Sequence, residues 1–320
     1  MKRLLKWTGG ILAAVAGLLV FLIIAVFVLA NIGPGQRLIE QAAKYFTQGD
    51  VVLIVLSGRF PDALRLKRLE LHDTKGIWLT IDDLSLDWTP TRLFSKTIEI
   101  NRIEAANAEM ARLPAPSGAP PPPTQQKTSF ASPLPVEIQR LVIGRFDLGA
   151  PVAGTRAVLA AHGSAHFVSL EDASLDLALQ RLDGGGDYAL AAKIDPNAIT
   201  GHVTAKEPEH GLISSFAQLP GLGAISLDAA VEGPRAAERL QLTLQAGELQ
   251  AAANGTVDLE NYAADLTLTA HAPAMRPSAE IAWQRIALDA HLQGPFTRPH
   301  VTGQLRAQGL EAAGGTIVKL

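Results

Sequence analysis

The chain has 320 residues, 48% of them apolar and 18% charged, no cysteine, and a formal net charge of −3. That apolar content argues against disorder, although the charge content lies below the roughly 25% usual in soluble domains. The lack of cysteine excludes disulfide scaffolds, thiolate metal sites, iron–sulfur clusters and cysteine nucleophiles, and the acidic balance excludes a typical nucleic-acid binder.

Lys2, Arg3 and Lys6 precede an uncharged run that extends to Gln36. Residues 10–30 would be about 31 Å long as a helix, matching a hydrocarbon core of roughly 30 Å. With the basic residues only on its N-terminal side, the run predicts a cytoplasmic tail at 1–9, a transmembrane signal anchor at 10–30, and the rest of the chain outside the cytoplasm. A cleaved signal peptide is the alternative, because Val28-Leu29-Ala30 resembles a small-residue cleavage site. The apolar run exceeds the roughly 7–15 residues usual for such a peptide, which favours the anchor. Next, Gly33-Pro34-Gly35 interrupts the helix, and Leu38, Ile39, Ala42, Tyr45 and Phe46 recur at 3–4 spacing. This predicts a juxtamembrane helix within 31–50, lying on the membrane or forming the first core helix. Both charge signs on its polar side favour the second.

From Val51 the period changes to two. In the N-terminal β region, 51–113, Leu64/Leu66, Leu69/Leu71, Leu79/Ile81, Leu84/Leu86/Trp88 and Ile98/Ile100 alternate with polar residues, as half-buried strands do. The parity slips between Leu66 and Leu69 and again between Ile100 and Ile103, which predicts a bulge or turn at each place. Residues 114–135 hold eight of the twenty prolines, so a solvated loop is expected there. Because both flanks look like strands, the loop is read as the connection of a long antiparallel hairpin, with an interdomain linker as the alternative.

A β-repeat region follows at 136–320. Leu175/Leu177, Ile225/Leu227, Leu240/Leu242, Leu266/Leu268 and Ile286/Leu288 keep the alternation, with one short helix expected at 212–219. Gly233-Pro234 recurs as Gly294-Pro295, and Leu240, Leu244, Ala246 and Leu249 recur as Val301, Leu305, Ala307 and Leu310. A period near 60 suggests a stacked array. The last five residues stop in mid-strand, so the region reads as truncated at its C-terminus.

Sequence signatures of chemistry are missing. There is no nucleophile elbow, zinc-helix motif or phosphate loop. His162 and His166, four apart, are a weak metal pair, and a solvated turn is the preferred reading. No catalytic, cofactor-binding or metal-ligating residue is assigned, and no enzyme is expected.

Residues 57–113, from Ser57-Gly58-Arg59-Phe60-Pro61-Asp62 through Gly76-Ile77-Trp78-Leu79-Thr80-Ile81-Asp82-Asp83 to Arg112-Leu113-Pro114, resemble the N-terminal region of the TamB family, within the wider AsmA-like, bridge-like lipid transport group. Gly186-Asp187-Tyr188, Ala205-Lys206-Glu207-Pro208 and Leu219-Pro220-Gly221-Leu222 are similar to it as well. The resemblance implies a mostly β protein anchored once in a bacterial inner membrane, its bulk periplasmic. An N-terminal transmembrane helix would lead into a curled, repeat-built antiparallel sheet that forms an open, solenoid-like groove with few short helices. It further implies a role in outer-membrane assembly and protein secretion, phospholipids as cargo, and the outer-membrane partner TamA. Members of the family run several times longer, and the C-terminal part that would meet TamA is missing here. The candidate groove lining is Leu175, Leu177, Ile225, Leu227, Leu240, Leu242, Leu266, Leu268, Ile286 and Leu288. The alternative is a structural or adhesive envelope solenoid in which these same residues form a dry core.

Overall fold

The computed structural model describes residues 33–115, 131–312 and 315–319; the expected anchor at 10–30 and most of the proline-rich stretch lie outside them. Among the described residues no helix is long and apolar enough to cross a membrane.

Alternation at period two gives strands wherever the sequence carries it. β1 (Val51–Arg59), β2 (Ala63–Asp73), β3 (Gly76–Trp88) and β4 (Ile98–Met110) precede the proline-rich stretch. After it come β5 (Ala131–Leu148), β6 (Ala157–Ser169), β7 (Asp172–Arg181), β8 (Asp187–Ile194) and β9 (Ala198–Glu207). The remainder are β10 (Ile225–Pro234), β11 (Glu238–Ala246), β12 (Leu249–Asp258), β13 (Ala263–Ala272), β14 (Arg285–Pro295), β15 (His300–Ala312) and β16 (Gly315–Lys319). All sixteen lie in one open sheet in chain order. Among the described residues helices are few and short: α1 (Gly33–Phe46), α2 (Ala150–Ala153) and α3 (Leu212–Phe216), with 3-10 turns at Pro90–Ser95 and Pro220–Leu222. Helix α1 lies along β1, where the Glu40 carboxylate accepts a hydrogen bond from the Leu56 amide at 2.6 Å. It thus covers an edge that would otherwise present unpaired backbone groups.

One junction corrects the sequence reading. β4 and β5 are neighbours, but they run parallel, Ile98 opposite Val136 and Met110 opposite Leu148. The proline-rich stretch is therefore no hairpin loop. It joins opposite ends of two parallel strands, as a crossover must. The strand also takes in residues expected to be loop, since β5 begins at Ala131. Pro133 and Pro135 fall where the β5–β6 register slips, between Ala131 opposite Ser169 and Val136 opposite Phe167, a place that needs no regular ladder of amide donors.

The parity slips have two physical forms. Between Ile100 and Ile103 the β3–β4 register shifts by one residue, a bulge. Near Leu66 no residue is inserted. Instead Val55 and Asp83, on the strands flanking Lys67, take left-handed φ values of 54° and 51°, and the apolar positions change parity on all three strands together. The repeat of about sixty residues corresponds to four strands, β10–β12 recurring as β14–β16, with a Gly-Pro pair ending the first strand of each set.

Candidate functional site

Residues directly opposite one another in a sheet project to the same face, so the register can be followed from strand to strand. One row runs Leu64, Leu86, Ile103, Leu141, Gly163, Leu177, Leu190, Val203, Ala229, Leu242, Ala253, Leu268, Ala290, Gly303. It crosses fourteen strands, β2 to β15, without a polar side chain. At a strand spacing of about 4.8 Å, that is roughly 60 Å of apolar surface. A second row, from Trp88 and Ile100 through Leu175, Leu240 and Leu266 to Leu292 and Val301, is equally free of polar residues. A third contains Leu227, Leu244, Ala270, Leu288 and Leu305. Where a glycine interrupts a row, the neighbouring strand is close: a Cβ on Gly303 would lie 2.6 Å from the Ala290 Cα.

The register brings all ten sequence-predicted lining residues onto this face. Leu177, Leu242 and Leu268 share the first row, Leu175, Leu240 and Leu266 the second, and Leu227 and Leu288 the third. Ile225 and Ile286 lie one row further, where Ile225 is opposite Ala246, and Ile286 is opposite Ala272 and Ala307. The rows remain half-buried or exposed on most strands, because the side chains shield one another and no second sheet or long helix packs over them among the described residues. The opposite face carries polar residues in register, among them Asp176, His202, Gln241, Asn254, Thr267 and His291. A depression of about 370 Å³ on that polar side is lined by Ser226, Thr243, Gln245, Gln250 and Thr269.

The two long margins of the apolar face differ. Along one, connections fold over the sheet: α2, α3, the 3-10 turn after it, and residues 273–284. They are tied together by Gly221 N–H to Pro277 O at 2.8 Å, Gly247 N–H to Ala224 O at 2.8 Å, and a reciprocal Met275–Trp283 pair at 2.9 Å. Beneath them Ala157, Leu159, Ala205, Ile225, Ala246, Ala272 and Ala307 are buried. Glu207, only 4% exposed, organises this cover. Its carboxylate accepts from the amides of Ile213 at 3.0 Å and Ser214 at 3.1 Å, and from the Tyr188 hydroxyl at 2.8 Å. Burial and that last bond push the Tyr188 phenol well above its ordinary pKa.

Along the other margin the connections are tight turns laced by backbone bonds. Arg235 N–H donates to Asn197 O at 3.2 Å, Leu259 N–H to Arg235 O at 2.9 Å, and Phe296 N–H to Tyr262 O at 2.8 Å. Here Glu238 is fully buried; Oε2 accepts from the Leu259 amide at 3.3 Å, and Oε1 has no partner among the described residues. Sequence reasoning missed both buried carboxylates. The signal was present, since Glu207 follows Val203 and Ala205 on the apolar parity, and Glu238 precedes Leu240 and Leu242 on it.

His162 and His166 lie in β6, not in a turn. Four residues along a strand separate them by about 13 Å, too far to share one metal ion. Among the described residues no cluster of three or more His, Cys, Asp or Glu could hold a metal. Comparison with protein-family models, with curated proteins and with solved structures finds no match to this chain.

Proposed function

We propose that the chain is a membrane-anchored envelope protein whose apolar sheet face carries phospholipid acyl chains between the inner and outer membranes, in the service of outer-membrane biogenesis. The observation that carries this reading is the first row, fourteen strands long and apolar throughout, with no covering layer among the described residues. Each methylene removed from water onto such a surface gains about 0.8 kcal/mol, which is enough to hold an acyl chain. Apart from Trp88 at the start of the second row and Tyr188 in the third, the rows repeat Leu, Ile, Val, Ala and Gly from strand to strand. A chain advancing by one strand spacing therefore meets nearly the surface it left, which keeps the barriers to sliding low. Curling of the sheet about this face would turn it into the groove that the sequence suggests, with the covered margin as one wall. TamA and a secretion role remain implications of the TamB-like residues.

The test is mass spectrometry of lipids that copurify with the full chain after mild extraction. Phospholipid in stoichiometric amount is expected, cross-linking to a photoreactive residue placed at Leu242. Protein that carries no phospholipid and gives no cross-link there would leave the structural, dry-core reading in its place.

A further inference from the structure

One end of the sheet bears an apolar projection that the described residues leave uncovered. Between β3 and β4, the 3-10 turn Pro90–Ser95 leaves Leu93 42% and Phe94 91% exposed. The projection is fixed by its own bonds. Lys96 N–H donates to Leu93 O at 3.0 Å, Thr97 N–H to Arg92 O at 3.1 Å, and the Ser95 hydroxyl to Arg92 O at 2.8 Å. Pro90 sets the first φ of the turn, and Lys96 closes it in the left-handed region at φ 58°. Such a turn holds Phe94 away from the sheet instead of letting it fold back.

The position of the turn indicates what it meets. Trp88 N–H donates to Asp62 O at 2.9 Å, so the turn stands beside the β1–β2 connection. Helix α1 reverses tightly into β1, with Gly49 N–H bonded to Lys44 O at 2.8 Å, and it runs back along that strand to the Glu40–Leu56 contact. Its first residue, Gly33, therefore lies toward the same end, and the sequence that precedes it in the chain carries the basic-flanked apolar run at 10–30. Arg37, Arg59, Arg92 and Lys96 belong to this end. Asp62 pairs with Arg59, and Glu99 with Arg92, whereas Arg37 and Lys96 have no ion pair among the described residues.

We propose that this end of the sheet rests on the surface of an anionic phospholipid bilayer, with Leu93 and Phe94 in the headgroup–acyl boundary and Arg37 and Lys96 against lipid phosphates. Two projecting side chains offer far less than the roughly 800 Å² per partner of a stable protein interface. On a surface to which the anchor proposed above would tether the chain, they are sufficient, and the inference rests on that reading.

The lack of cysteine allows single-site labelling of the full chain. Phe94→Cys and, as a distant reference on the β12–β13 turn, Tyr262→Cys each receive an environment-sensitive fluorophore. The proteins are then reconstituted into vesicles of phosphatidylethanolamine and phosphatidylglycerol containing a headgroup-level spin-labelled lipid. Quenching at position 94 is expected to be several-fold stronger than at 262, and to fall when Arg37→Glu and Lys96→Glu are added. Equal quenching at the two positions overturns the proposal. So does a label at 94 that is shielded from lipid quencher and aqueous iodide alike, which would mean that protein covers it. Both sites are exposed, so folding is not at stake, and the readout is independent of whether the apolar face carries lipid.

Discussion

Leu242 and Leu268 stand two strands apart in one row, both half-buried, whereas Ile225 is buried beneath the covered margin at 4% exposure. A charge at either leucine can reach water without leaving the sheet. At Ile225 it would be unpaired and dehydrated, at a cost of several kcal/mol. Leu242→Glu and Leu268→Arg are therefore expected to keep their β-sheet circular dichroism, to lose no more than about 1–2 kcal/mol in urea, and to copurify with much less phospholipid. Ile225→Glu is expected to unfold its region. Loss of sheet signal in both leucine variants would mean an enclosed core, and the conduit would fail with it. Charge pairs on the N-terminal strands set a different dependence. Asp87 lies between Arg102 at 2.6 Å and Arg65 at 2.9 Å, and the hydrogen bonds from these guanidiniums, that of Arg102 first, hold its carboxyl below the usual carboxylate range. Asp73 is lowered in the same way by Arg112. A folded-state pKa below the unfolded value gives stability that is present above about pH 4 and lost as pH falls through the folded value. The urea midpoint should thus drop in acid, and the gap between wild type and Asp87→Asn should narrow below about pH 4. A gap that stays constant from pH 7 to 3 would show that the ionisation of Asp87 contributes nothing to folding.

Among the elements, the β4–β5 junction decides how the proline-rich stretch should behave. Twelve residue steps separate Ile98 from Met110, so the connection must span about 40 Å to enter β5 beside Ile98. Deleting residues 116–132 leaves about nine peptide units, which reach roughly 32 Å when fully extended. The deletion is therefore expected to break the β4–β5 pairing, seen as loss of amide protection in both strands. A Gly/Ser segment of the native length should restore it. Full protection in the shortened protein would refute the parallel assignment. The direction of this pair was not legible in the sequence, because alternation fixes which residues face one side but not which way the next strand runs. The slips at Ile100 and near Leu66 were legible for the same reason that the apolar rows were: a change of face leaves a mark in the parity of the leucines and isoleucines. The helical turns at Pro90–Ser95 and Ala150–Ala153 leave no periodic signal, being only six and four residues long. Glu207 and Glu238 sat on the apolar parity in plain view. Their partners, the α3 amides and the Leu259 amide, come from connections whose fold depends on the strands that they join.

At the scale of the whole molecule, each strand pairs only with the strands before and after it in the chain, from β1 to β16. Stability in such an array is close to a sum of neighbour terms, and a local fault need not unfold the remainder. The apolar rows behave otherwise, since a path along a row passes over every strand in turn. A single break should therefore separate folding from passage. Ala189→Pro puts a ring where β8 pairs with Ala178 of β7 and Thr204 of β9, removing an amide donor from the middle of the sheet. Hydrogen exchange should rise across β7 to β9 while β11 to β14 keep their protection. The lipid cross-link at Leu242, on β11 and so five strands beyond β6, the last intact strand before the break, should weaken if lipid arrives along the rows from the anchored end. If it persists undiminished while exchange at β7 to β9 is fast, lipid reaches the C-terminal strands directly from solution or from another membrane, and the face is a binding surface without directional passage. If protection instead collapses along the entire sheet, the sixteen strands form one cooperative unit, and the neighbour-sum account of this fold is wrong.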